Sequence, residues 1–107
     1  MIYELRSYEV VPGRMPAMHA RFQNHTPGLV RKHGLGVLGF WEAIVGTTSV
    51  LHHVLRCSDL AHREKAWNAF MADPEWHRVR AESEKDRPTV ARARNELWRP
   101  TPYSPMQ

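Results

Sequence analysis

Residues 2–14 read IYELRSYEVVPGR, and the change of pattern inside this stretch decides the fold. From Ile2 to Val11 the chain is rich in aromatic and β-branched residues, and it then meets Pro12-Gly13, a turn signal, so the segment reads as a strand that stops abruptly. From Arg14 the spacing becomes helical, with Met15, Met18, Phe22, His25 and Leu29 three or four residues apart along one stripe. Pro27 and Gly28 weaken the last turns and His33-Gly34 ends them, so this helix is expected to be irregular near Thr26.

Downstream, Gly36 to Val45 carries Val37, Phe40, Trp41, Ile44 and Val45, and a turn around Gly46-Thr47-Thr48 separates it from Ser49 to Cys57, which predicts a β-hairpin. Ser58 or Asp59 can cap a second helix whose apolar face is Leu60, Trp67, Phe70 and Met71. Asp73-Pro74-Glu75 has the chemistry of a fresh helix start, so a break between two helical pieces is expected there. The polar stretch Glu82 to Asp86 leads to Pro88, and Thr89 to Arg99 alternates as a last strand. In the tail, residues 99–107, three prolines remove amide donors, and an extended arm is expected.

The order β-α-β-β-α-β is the split βαβ arrangement of the ferredoxin-like α+β fold, with helices on one face of a four-stranded antiparallel sheet. The 107 residues suit a single domain, 1–107. Ile2, Tyr8 and Val10 share one face of the first strand while Tyr3 and Leu5 share the other, so both faces of the sheet call for cover. Two sheets packed face to face in a symmetric homodimer would supply it, closing a dimeric α+β barrel with an interior pocket.

Composition narrows the function. The net charge of +4 comes from Lys and Arg spread along the chain among acids, which argues against a nucleic-acid surface. Cys57 is the only cysteine, so neither an internal disulfide nor a thiolate metal cluster is available. No apolar run reaches the roughly 18 residues that span a bilayer. The chain opens directly on an alternating segment without the features of a signal peptide, and a soluble, cytoplasmic protein without membrane partners is expected.

Residues two apart on a strand share a face, so Glu4, Arg6 and Tyr8 project together, offering a carboxylate, a permanent cation and a phenol. Such a cluster could anchor an anion and move a proton, or form a structural ion pair. His52 and His53 are adjacent and point to opposite faces, so they cannot chelate one metal, and the sequence does not say which faces a cavity. Phe40 and Trp41 likewise diverge, one toward core and the other toward ligand or partner. Arg92, Arg94, Glu96 and Trp98 share a face of the last strand, and Arg94 or Glu96 could meet the first-strand cluster. His25 reads as a packed helix residue; His19, His62 and His77 read as solvent-facing. Neither C-x-x-C-H nor His-Glu-x-x-His occurs, and no metal or cofactor is expected.

Particular motifs resemble the NIPSNAP family: ELRSY at Glu4 to Tyr8, VVPGR at Val10 to Arg14, KHG at Lys32 to Gly34, GFW at Gly39 to Trp41, His53-Val54-Leu55 followed by SDLAHRE, DPEW at Asp73 to Trp76, and RPTPYSP at Arg99 to Pro105. The chain departs from the family's pattern at Leu55, where an aromatic is usual, and at Cys57, where tyrosine is common. The resemblance implies the dimeric α+β barrel superfamily, which includes cofactor-free monooxygenases, haem-using enzymes, isomerases and ligand-binding proteins. The expected function is therefore a small-molecule enzyme of monooxygenase, decarboxylase or isomerase type acting on an aromatic or polyketide-like acid in the barrel pocket. Tyr8 and His53 would handle protons; Glu4, Arg6, Phe40, Trp41 and Arg94 would line the substrate, with Arg6 holding its anion. The alternative is a non-catalytic metabolite-binding or signalling module.

Overall fold

In a computed structural model describing residues 1–107, the opening segment forms strand β1 (Ile2–Val10), followed by helices α1 (Met15–Asn24) and α2 (Thr26–Lys32). Strands β2 (Gly36–Glu42) and β3 (Val50–Cys57), helices α3 (Leu60–Ala72) and α4 (Pro74–Ser83), and strand β4 (Val90–Trp98) complete the chain. The sheet is antiparallel throughout in its neighbouring pairs, with spatial order β2-β3-β1-β4. This is the ferredoxin-like α+β arrangement: the split βαβ connections place β1 and β3 at the centre of the sheet. No helix is long and apolar enough to cross a membrane.

The local signals act where expected. The helix break falls at His25, whose N–H still bonds Arg21 carbonyl. The break shifts the phase of the stripe, so Thr26, Leu29 and Val30 turn inward while His25 is exposed, contrary to the packed histidine expected there. Asp59 caps α3 by accepting from the His62 N–H, and Asp73 caps α4 by accepting from the Glu75 N–H. Lys32 and His33 close on the other Asp73 carboxylate oxygen at 2.9 and 2.7 Å, tying the end of α2 to the start of α4.

Three features differ from the expectation. Strand β2 ends at Glu42 rather than Val45, because Gly46 (φ +148°) and Ser49 (φ +58°) turn the chain out of extended conformation, leaving Ile44 and Val45 fully exposed. Ala66 and Phe70, not Leu60 and Met71, are the buried face of α3; Leu60 lies in the first turn, beyond the cover of the sheet. The tail is irregular but curls back: Tyr3 Oη donates to the Gln107 carbonyl at 2.6 Å, and Gln107 Nε2 donates to the carbonyls of Thr101 and Ser104.

One face of the sheet carries the core. Leu55 and Cys57 meet Leu29 and Val30 of α2, Phe70 of α3, and Trp76 and Val79 of α4, while Leu51 and Val10 meet Met18 and Phe22 of α1. A fully buried side chain such as Met18 or Leu55 contributes about 1.5–3 kcal/mol. The register places Tyr3, Leu5, Ser7 and Glu9 on the other face with His52, Val54, Arg94, Glu96 and Trp98, and Trp41 stands opposite His52.

Candidate functional site

The pleat of β1 aims Glu4, Arg6 and Tyr8 at the helices. Their register partners on β3 are Leu55, His53 and Leu51, and on β4 they are Leu97, Asn95 and Ala93. The cluster therefore lies under the helical layer and not on the open face, so two open faces closing a barrel would not bring it inside. The space it borders is a cavity of about 360 Å³ between the sheet and all four helices, within the range usual for small-molecule sites.

Glu4 is almost fully buried and organises one end. Its Oε2 accepts from Arg6 Nη1 at 2.8 Å, Arg63 Nη2 at 2.8 Å and Asn95 Nδ2 at 3.0 Å, and its Oε1 accepts from Arg63 Nε at 3.0 Å. Burial would raise the carboxyl, but the bonds from Arg63 and Asn95 and the charge of Arg6 outweigh it and hold Glu4 below its usual 4.5. The same pairing raises Arg63 further. Arg6 is thus fixed in orientation, with its guanidinium carbon 4.1 Å from the Trp67 ring centroid. Its Nε donates to Tyr8 Oη at 3.0 Å and its Nη2 makes no hydrogen bond within the protein. Because Tyr8 accepts there, its own O–H is left to be donated into the cavity.

His53 faces the same space. Its ring lies 5.2 Å from Tyr8, 5.3 Å from Phe22 and 5.4 Å from Phe40, centroid to centroid. Burial, then the charge of Arg6, pushes its pKa down to about 3, so the imidazole is neutral under ordinary conditions. Neither ring nitrogen has a partner in the protein, and Nδ1 is buried without one. A buried polar atom without a partner is uncommon, and Arg21 Nε, another, belongs to a second residue bordering the cavity.

Most of the charge near the cavity is paired: Arg6 with Glu4 at 2.8 Å and Arg80 with Glu84 at 3.5 Å, while Arg92 turns to Glu9 on the open face, which leaves Arg21 as the cation at the cavity without a carboxylate partner. Trp67, Phe70, Trp76 and Phe22 supply aromatic walls. Such a space suits a ligand with an apolar ring and an anionic group. No three His, Cys, Asp or Glu side chains come together as a metal-binding group.

The NIPSNAP family model matches residues 3–105. The chain belongs to the NIPSNAP family. This NIPSNAP chain is similar over its whole length to a NIPSNAP family protein of unknown function from Agrobacterium tumefaciens, at 25% identity, TM-score 0.86 and 94% coverage of that chain. An uncharacterised NIPSNAP domain protein from Burkholderia xenovorans matches at 20% identity and TM-score 0.85, over 98% of this chain and 99% of that one. A protein from Chloroflexus aurantiacus, named provisionally as an antibiotic biosynthesis monooxygenase, shares the fold at 11% identity and TM-score 0.51, over 94% and 96% of the two chains. No curated protein matches.

Of the residues singled out from sequence, this NIPSNAP fold brings Glu4, Arg6, Tyr8, His53 and Phe40 together. Trp41 and Arg94 stand on the open face, and Arg94 is opposite Ser7 rather than beside the first-strand cluster. Asn95, the residue after it, is the one that reaches Glu4, because the parity of β4 relative to β1 is set by a register that the sequence does not display. Arg21, Arg63 and Trp67 were not anticipated. Arg21 had a signal: it follows Met18 by three and precedes Phe22, a cation placed on an apolar helix stripe. Trp76 packs in the core with Phe70 and Val79. Burial raises Cys57 above its usual range, which suits a packed thiol and not a nucleophile.

Proposed function

We propose that this protein is a small-molecule enzyme acting on an aromatic or polyketide-like acid held between its sheet and helices, in a reaction that passes through an enolate. Oxygenation without a cofactor, decarboxylation and isomerisation of such acids all share that demand. The observation that carries the reading is the Arg6–Tyr8 pair. A carbonyl oxygen seated against it would meet the Tyr8 O–H and the free Nη2 of Arg6, two donors held in place by Glu4 and Trp67 before any ligand arrives. Aromatic walls would exclude water from the developing charge. The same proposal includes a homodimer formed through the open face, where Trp41 and Trp98 remain substantially exposed.

The test uses an aromatic β-keto acid, benzoylacetate, in D2O, following deuterium entry at its acidic carbon by NMR against the buffer rate. The wild-type protein is expected to accelerate exchange, the unpartnered neutral His53 taking the proton that leaves the acidic carbon, and Tyr8→Phe to lose roughly 100-fold of that acceleration, as removal of one oxyanion donor does. A wild-type rate equal to buffer would reject catalysis on this substrate class.

A second reading, a non-catalytic metabolite-binding module, is favoured by one observation. His53 is the only imidazole at the cavity, and a pKa near 3 makes it a weak proton acceptor. Binding of benzoylacetate without accelerated exchange would support this second reading.

A further inference from the structure

Arg21 is 5% exposed, yet no carboxylate lies within ion-pair distance of it. Its only hydrogen bonds leave from Nη1 and are long: 3.3 Å to Ser83 Oγ and 3.4 Å to Thr89 Oγ1. Nε is buried without a partner and Nη2 has none. Glu84 acts on Arg21 only through space and through the Thr89 hydroxyl, which donates to it at 3.4 Å, while its own ion pair is with Arg80 at 3.5 Å. The guanidinium lies 5.2 Å from the Trp76 ring centroid and 5.7 Å from that of Phe22. Aromatic faces and two hydroxyls are poor compensation for a permanent charge taken out of water. Arg6 and Arg63 show the contrast: both are closed on Glu4.

We infer that Arg21 is the anchor for the ligand's carboxylate, at the Trp76 end of the cavity, and that Arg6 is not. This deepens the function proposed above and rests on its assumption that the cavity holds an acid. Arg6 has spent its charge on Glu4 and one N–H on Tyr8, so it is placed to polarise a neutral carbonyl oxygen. Arg21 keeps unpaired donors beside the same space, the arrangement that accepts a carboxylate through charge-assisted bonds. Tyr8 stacks on Phe22 at 5.9 Å, so an aromatic ring lying along that pair would have its acid group directed at Arg21 and its reacting carbonyl at Arg6.

The experiment compares phenylacetate with its neutral isostere phenylacetamide on the full chain, following the indole N–H signals of Trp76 and Trp67 by NMR titration. Phenylacetate is expected to shift Trp76 and to bind at least about tenfold more tightly than the amide. In Arg21→Gln that preference disappears, and Arg21→Lys keeps part of it. Equal affinity for acid and amide in the wild-type protein, or no binding of either at millimolar concentration, overturns the assignment. So does an acid preference lost in Arg6→Gln but retained in Arg21→Gln. The wild-type comparison does not depend on any variant folding. Failure of deuterium exchange together with a preserved acid preference would reject the catalytic reading and leave the anchor standing; exchange without acid preference would do the reverse.

Discussion

At the scale of single residues, His53 separates two effects of burial. Its imidazole is held between Arg6 and Glu4 on one neighbouring strand, Arg21 on the first helix and His52 beside it, and desolvation wins over the one favourable charge, that of Glu4. In the unfolded chain His53 takes up its proton near 6.5, whereas in the folded chain it does so only near 3. The unfolded state therefore binds more protons across that interval, and stability falls as pH drops through it. Between pH 7 and 5 this amounts to about 2 kcal/mol of unfolding free energy, and His53→Gln is expected to flatten the profile in that window. Below 4.5 Glu4 adds its own acid sensitivity, since its carboxyl is held low by its partners. Urea titrations at closely spaced pH check this; an unchanged slope in His53→Gln would assign the loss to another group. The identity of His53 as a cavity residue was only half legible in the sequence. Adjacent histidines on a strand must diverge, but which of them turns inward depends on pairing with Arg6, a long-range fact.

At the scale of elements, the same limit recurs. The order of element types, an irregularity near Thr26, a cap at Ser58 or Asp59 and a fresh helix start at Asp73 were readable because they rest on local rules: proline, glycine and the free amides of a first turn. The end of β2 was not, because Ile44 and Val45 look like strand residues and only a backbone turn at Gly46 and Ser49 removes them. The direction of the Glu4, Arg6, Tyr8 face was not legible either, since β1 has apolar and polar residues on both sides. What fixes it is the joint between β1, α3 and β4 made by Glu4. Glu4→Ala would leave Arg6 and Arg63 without their counter-charge in a half-buried setting and is expected to cost about 3 kcal/mol in the urea unfolding free energy. A loss below about 1 kcal/mol would place the cluster among ordinary surface ion pairs. Arg6 would also lose its fixed orientation, so the same variant is expected to lower deuterium exchange.

At the scale of the whole molecule, the two faces of the sheet divide the work. One is covered by helices over its central strands and borders the cavity; the other presents Trp41, Trp98 and Leu38, and β4 is exposed along its length. If the homodimer forms through this open face, Trp41→Glu should place a charge in the contact and convert the dimer to monomer by sedimentation velocity, with the far-ultraviolet spectrum unchanged. A wild-type protein that sediments as a monomer at every concentration would refute the dimer. The sequence pointed to an unsatisfied sheet face, and that part of its reasoning needed only composition by face; the position of the cavity needed the register.

The returning tail has a consequence of another kind. With Tyr3 bonded to the Gln107 carbonyl, and Met1, Ile2 and Gln107 bordering one surface depression, the two ends of the chain are neighbours. A short glycine linker could join them, and new ends could be cut at Thr47–Thr48, in the exposed stretch between β2 and β3. The resulting circular permutant would begin at the β3 edge of the hairpin and keep the cavity's register intact. Native peptide order would then be a historical choice in this fold and not a requirement for building its site.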